Sequence, residues 1–257
     1  MAEEPTRTAE ELNRIGVRSP VRRFLVDPVL PFTARVGSVV GVRTTAPHFV
    51  LTLDDGPEPG ATERVLAALA QRRATATFFV LVGRAERHRT LLAETIAAGH
   101  EIALHGVDHR RLTRIPHTER VRSLAEGKRR LEDLVQQPIR WFRPPYGAQS
   151  PRVWSAIRRE GMESVLWTAV AGDWIDAPVH RLADLAVRGA GPGSVLLAHD
   201  GFAGAEEGAD DGPPPRFDRG ALVSEVLTAV SARGLVGRSL SDALRHGEPR
   251  MQAWFLP

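Results

Sequence analysis

The chain has 257 residues, 42% hydrophobic and 25% charged, with a formal net charge of +3; this suffices for one well-buried core, and α/β barrels of this length are commonly one domain. Lys128 is the only lysine, and the arginines are spread among Asp and Glu rather than gathered on one stripe, which argues against nucleic-acid binding. There is no cysteine, so disulfides and thiolate metal sites are excluded and any metal must sit on His, Asp or Glu.

Residues 1–46 show no steady period and carry Pro5, Pro20, Pro28 and Pro31. They read as an N-terminal arm that precedes the main domain or packs on it. The start, MAEEPTRTAEELNRIG, is acidic and polar, without the basic-then-apolar pattern of a leader. The apolar stretch 24–42 is interrupted by Asp27, Pro28, Pro31 and Arg35, so no membrane span is expected. These features predict a cytoplasmic protein, or one of the cell envelope if a leader has been removed. A monomer or weak oligomer is expected.

From His48 onward, short apolar runs alternate with amphipathic stretches. HFVLTL, ATFFVLV, EIAL, IRWF, SVLW, SVLLA and LVGRSL read as buried strands. Between them ATERVLAALAQR, RTLLAETIAAG, TERVRSLAEGKRRLEDLV, PRVWSAIRREG, RLADLAVRG and ALVSEVLTAVSARG read as helices, four of them ending at Gly99, Gly161, Gly189 and Gly234 as left-handed caps prefer. About seven strand–helix alternations over residues 47–246 predict an α/β fold with a parallel sheet and, at this length, a barrel. An open doubly wound sheet is the competitor, but its Gly-rich nucleotide turn is absent: the first strand is followed by Asp-Asp-Gly-Pro. Residues 201–219, rich in Gly, Pro and acid, predict a long loop on the reactive face. Residues 247–257 read as a C-terminal tail, with Trp254 and Phe255 able to pack on the body.

The polar residues cluster where such a fold binds ligands, at the C-terminal strand ends. Asp54 and Asp55 follow VLTL, His105 and His109 follow EIAL, and Arg143, Pro144, Pro145 and Tyr146 follow IRWF. The strand through Trp167 leads to Asp173 and Trp174, and SVLLA leads to His199 and Asp200. Each alone has a bland reading: a turn at Asp54–Asp55, a solvated turn at His105 and His109, a helix cap at Asp173. Their convergence on one rim favours a site. Two imidazoles and a carboxylate suit zinc or another divalent metal with open positions. The second acid of the pair can act as base, a separate histidine can protonate a departing amine, an arginine can keep the base ionised, and an aspartate can keep the acid histidine protonated. That set suits hydrolysis of an amide.

Five segments in order, LTLDDGP, HGVDH, RPPYG, GDW and LLAH, resemble the polysaccharide deacetylase family, the NodB-like carbohydrate esterases of family 4. The resemblance spans roughly residues 48–245 and implies a distorted (β/α)7 barrel. It implies a divalent metal, zinc first with Co, Mn, Ni or Fe as alternatives, on Asp55, His105 and His109. It implies Asp54 as general base, Arg143 as its orienting partner, His199 as general acid and Asp173 as the residue that tunes the acid. It implies substrate contacts from Pro145, the Tyr146 backbone amide, Trp174 in the groove and Leu196 against the acyl methyl. The expected activity is removal of an N-acyl group, most simply acetyl, from an N-acylated amino sugar or glycan. A deformylase or other amide hydrolase of a small or lipid-linked substrate is the alternative within that chemistry. A catalytically silent carbohydrate-binding barrel and a non-haem iron oxygenase, whose facial triad also uses two His and a carboxylate, are the alternatives outside it. Three departures stand out: Gly106 where the family carries Ser or Thr, Leu104 where Asn is common, and Val170 where the fourth motif often starts with an acid.

Overall fold

The structure, a computed structural model, describes residues 37–256; most of the expected arm, residues 1–36, lies outside the described residues. The strands are β1 (Ser38–Arg43), β2 (His48–Asp54), β3 (Thr77–Leu81), β4 (Glu101–Gly106), β5 (Trp141–Phe142), β6 (Glu163–Ser164), β7 (Ala169–Val170), β8 (Val195–His199), β9 (Val236–Arg238) and β10 (Glu248–Gln252). The helices are α1 (Ala61–Gln71), α2 (Val82–Arg87), α3 (Arg89–Ala97), α4 (His117–Val135), α5 (Pro151–Arg159), α6 (Val179–Ala186), α7 (Arg219–Ser231) and α8 (Leu240–Leu244). The main sheet runs β6-β5-β4-β3-β2-β8-β7, all neighbours parallel, with β9 paired to the first half of β2. Sequential neighbours all the way round are barrel order, not the reversing order of a doubly wound sheet.

The period-2 alternation of the strands separates two layers and delivers the site. Along β2, Phe49, Leu51 and Leu53 join the large core under the helices, whereas Val50 belongs to a smaller core inside the curl. Along β3, Phe78 and Val80 join the helix-side core and Phe79 the inner one; along β4, Leu104 is helix-side and Ala103 inner. Residues in phase with the inner set, Thr52, Asp54 and His105, are therefore carried inward. Every one of these side chains is buried, and fully burying a Leu or Phe stabilises by about 1.5–3 kcal/mol.

The curl is distorted because β6 and β7 do not pair. The expected single strand through Trp167 is replaced by β6, an irregular segment over 165–168 in which Val165 bridges to Val39, and β7. The cause lies in Arg143, whose guanidinium takes the carbonyls of Val165 and Leu166, both at 3.3 Å, away from a strand ladder. Strand β1, within the stretch expected as an arm, lies at this opening: Leu166 donates to Val39 at 2.7 Å and Val42 to Gly193 at 2.8 Å. Its other edge pairs antiparallel with β10, within the expected tail. β10 is exposed along most of its length, so EPRMQ carries no apolar alternation that could reveal a strand. Trp254 packs edge-on against Trp167 with ring centroids 5.6 Å apart. The four capping glycines all have positive φ. No helix among the described residues is long and apolar enough to cross a membrane.

Candidate active site

Asp54 ends β2 with its side chain inward, and Asp55 follows in a left-handed backbone conformation, φ 73°. Asp tolerates this region better than most residues, and such outliers concentrate at functional sites. The turn sends the two carboxylates to different partners.

Asp55 Oδ1 lies 3.4 Å from His105 Nε2 and 3.4 Å from His109 Nε2. One donor atom from each of the three residues lies within 4.8 Å of the others, and all three residues are buried. Asp55 Oδ2 accepts the Ala203 N–H at 3.1 Å, while Oδ1 has no hydrogen-bond partner among the described residues. His105 Nδ1 sits 2.8 Å from the Arg143 carbonyl, which can only accept, so Nδ1 carries a proton and Nε2 is the nitrogen turned to Asp55. Burial would raise the Asp55 carboxyl, but His105, His109 and His199 hold it far below the usual carboxylate range. Burial pushes the His109 imidazole down to about 4 against the pull of Asp55. At neutral pH the group is thus a carboxylate facing a neutral imidazole, the forms that ligate. An orphaned buried oxygen opposite two imidazole nitrogens fits a divalent cation, and an N₂O set suits zinc or a neighbouring transition metal.

The departure at Gly106 has a structural reason. Its φ is 149°, and a Cβ there would stand 2.6 Å from the Asp108 carbonyl oxygen. The loop between the two histidines takes a path here that a Ser or Thr cannot follow without moving it. Leu104 is helix-side core, and Val170 is half-buried on β7.

Arg143 is fully buried and tethers both halves of the site. Its Nη1 donates to Asp54 Oδ1 at 2.7 Å and to Thr52 Oγ1 at 2.7 Å, while its carbonyl orients His105. The guanidinium lies over the Phe79 ring at 4.2 Å. Burial lowers its pKa and the Asp54 charge opposes that, as expected of a desolvated pair.

His199 ends β8, and Asp173 holds it twice: Nδ1 is 2.8 Å from Oδ1, and the His199 N–H donates to Oδ2 at 2.8 Å. Arg219, at the end of the long loop, also donates to Asp173 Oδ2, at 3.0 Å. Burial would lower the imidazole, but the Asp173 charge and hydrogen bond raise it to about 9. His199 is therefore a cation at neutral pH, with Nδ1 occupied and Nε2 available.

Asp54, Asp55, His105, His109 and His199 line a cavity of about 310 Å³ together with Tyr146, Gly147, Trp167, Trp174 and Leu197. Trp174 is 39% exposed and meets the His199 ring edge-on at 6.0 Å. Tyr146, left-handed at φ 61°, packs edge-on against His109 at 4.4 Å. Its turn is closed by the amides of Gly147 and Ala148 onto Pro144 and Pro145, which leaves the Tyr146 amide out of that hydrogen bonding. Two expectations are corrected. Leu196 faces the helix layer, in the large core, and Leu197 lines the cavity instead, because β8 alternates and His199 is in phase with 197. Pro145 is buried behind the turn and does not line the cavity.

Sequence reasoning missed several contributors. The loop over 201–219 is pinned by a buried cluster: Arg84 donates to Glu207 at 2.9 Å, to Glu58 at 2.8 Å and to the Phe202 carbonyl at 2.7 Å. The Glu207 carbonyl in turn accepts the His109 N–H at 2.8 Å. Arg219 and Arg111 were also missed; Asp200, noted at the end of the SVLLA strand, is buried, accepts from Thr62 at 2.6 Å and lies against Gly56. No local pattern marks these residues, since their partners are distant in sequence.

Comparison with known proteins agrees with this geometry. A family model described as polysaccharide deacetylase matches residues 41–165. The chain is 33% identical to a chitooligosaccharide deacetylase of Sinorhizobium fredii over 198 residues, covering 77% of this chain and 92% of that one. It is 30% identical to a peptidoglycan-N-acetylglucosamine deacetylase of Bacillus cereus, covering 76% of this chain and 87% of that one. Among solved structures it is similar in fold to a CE4 family pseudoenzyme from Bacillus anthracis, with a TM-score of 0.69, 20% identity, and coverage of 80% of this chain and 68% of that one.

Proposed function

The chain belongs to the polysaccharide deacetylase family, and from that premise we propose that it is a metal-dependent hydrolase that removes the N-acetyl group from an amino-sugar glycan. The observation that carries the reading is the pairing of two differently tuned groups around one candidate metal site. Asp54 is held by Arg143, and His199 is held as a cation by Asp173. The relatives' substrates, chitooligosaccharide and peptidoglycan, support an N-acetylglucosamine-containing glycan.

Asp55, His105 and His109 would hold the ion. Bound there, a divalent cation supplies Lewis acidity, polarising the acyl carbonyl and acidifying water. Asp54 Oδ2, the oxygen not held by Arg143 Nη1, takes the proton of the attacking water. The Tyr146 amide donates to the carbonyl oxygen as it gains charge. His199 Nε2 delivers its proton to the departing sugar amine, and Asp173 keeps the ring oriented throughout. Trp174 offers an apolar face to the sugar, and Leu197 lines the acyl end. A silent carbohydrate-binding barrel would have no need of two buried, charge-matched pairs.

The test is acetate release from N-acetylglucosamine oligomers and from muropeptides. Asp54→Asn should lower kcat about 10²–10⁴-fold with an unchanged fold. Undiminished acetate release by that variant would overturn the reading.

A further inference from the structure

The cavity wall carries one charged group that the deacetylation mechanism does not use. Arg111 lies two residues after His109 and lines the cavity, with its guanidinium carbon 3.7 Å above the Tyr146 ring centroid. Tyr146 in turn packs on His109, so the guanidinium stands one aromatic ring away from a metal ligand. Its neighbours Arg110 and Arg114 are paired, with Asp108, Glu119 and Asp210. Among the described residues, Arg111 has no such pair, and its Nε is buried without a hydrogen-bond partner. Asp211 lines the same cavity beyond ion-pair distance, where burial raises its carboxyl and the Arg111 charge still acts to lower it.

A buried donor left unpaired is unfavourable, and a stacked guanidinium has already lost much of its freedom. Stacking also fixes the plane of the fork, so that its N–H groups present the paired geometry that a carboxylate matches. Resting on the deacetylase reading of this site, we propose that Arg111 binds a carboxylate carried by the amino-sugar substrate, which makes acidic glycans the preferred substrate class. The acid would sit on the His109 side of the cavity, while Trp174 flanks His199. No covalent step is involved; Arg111 acts on specificity.

The test compares two oligosaccharides of alternating N-acetylglucosamine and N-acetylmuramic acid, one with the free lactyl carboxylate and one with that carboxylate converted to its methylamide. Shape is nearly constant and charge differs. The wild-type protein should favour the free acid about tenfold or more in kcat/KM. Arg111→Met should bring the acid-to-amide ratio close to one, mainly through KM, and Arg111→Lys should retain part of the preference. A purely structural role, holding Tyr146 in place, would slow both substrates alike and leave the ratio unchanged; that result, or a wild-type preference for the amide, overturns the proposal. Binding of the same pair to Asp54→Asn by calorimetry reads the ratio without turnover. If no acetate is released from either substrate while the Arg111-dependent binding preference persists, the deacetylase reading fails and the carboxylate site stands.

Discussion

Replacing Asp173 by Asn isolates the group that makes His199 an acid. Asp173 is fully buried, and its Oδ1 lies 2.8 Å from His199 Nδ1. Burial lowers the imidazole from its ordinary 6.5, and Asp173 is the largest influence that raises it to about 9. An Asn keeps the shape and an accepting oxygen but loses the charge, so the imidazole should fall to 6.5 or below. A general acid works only when protonated, so activity is lost as pH rises through its pKa, and the alkaline limb of kcat/KM should move towards acid. At pH 6 both proteins would be mostly protonated. At pH 8 the wild type would be roughly 90% protonated and the variant roughly 3%, by simple titration about those two values. The variant-to-wild-type ratio should therefore fall about 20-fold between pH 6 and pH 8, beyond any uniform loss from imperfect orientation. A cation at Asp55 lowers both values but leaves the difference. The assay is acetate release across pH, with the His199 ring followed by NMR in both proteins. An alkaline limb that stays within about half a unit of the wild type would refute the assignment of Asp173 as the residue that charges the acid.

Other consequences follow from the same geometry. Gly106→Ser, a change towards the family pattern, should weaken zinc affinity roughly 10–100-fold, because the second histidine loses its position; calorimetry against wild type checks it. Arg84→Met leaves the buried Glu207 only the half-exposed Arg87 as a charged partner and should cost about 1.5–3 kcal/mol, visible as a fall in Tm of roughly 3–12 °C with the loop over 201–219 loosened. Leu197→Ala should enlarge the acyl end and raise the activity ratio of propionyl to acetyl substrates, whereas Leu196→Ala should cost about 2–5 kcal/mol of stability without changing that ratio.

The parallel sheet and the helices between its strands were legible because each element buries an apolar run or stripe that the sequence displays directly. Strand β1 was not, because SVVGVR sits among prolines and pairs with β10, which has no apolar face to betray it. The short helices α2 and α8 follow strands without a break in the pattern. Asp54, Asp55, His105, Arg143 and His199 were legible because strand ends aim consecutive residues at one rim. Arg219 and the Arg84–Glu207 pair were not, because loops bring them in from positions 46 and 123 residues away from their partners. Leu196 was misassigned for a simpler reason: in a run of buried residues, VLLAH, only the phase set by His199 tells which leucine faces the cavity.

The central claim is that Asp55, His105 and His109 share one divalent ion on which acetyl release depends. Zinc titrated into chelator-treated protein, with bound metal and acetate release read on the same samples, tests it most directly. The account predicts that activity rises linearly to one equivalent of bound zinc, and that Asp55→Ala neither binds at that site nor recovers. Full acetate release from the metal-free protein, or from Asp55→Ala, would contradict it.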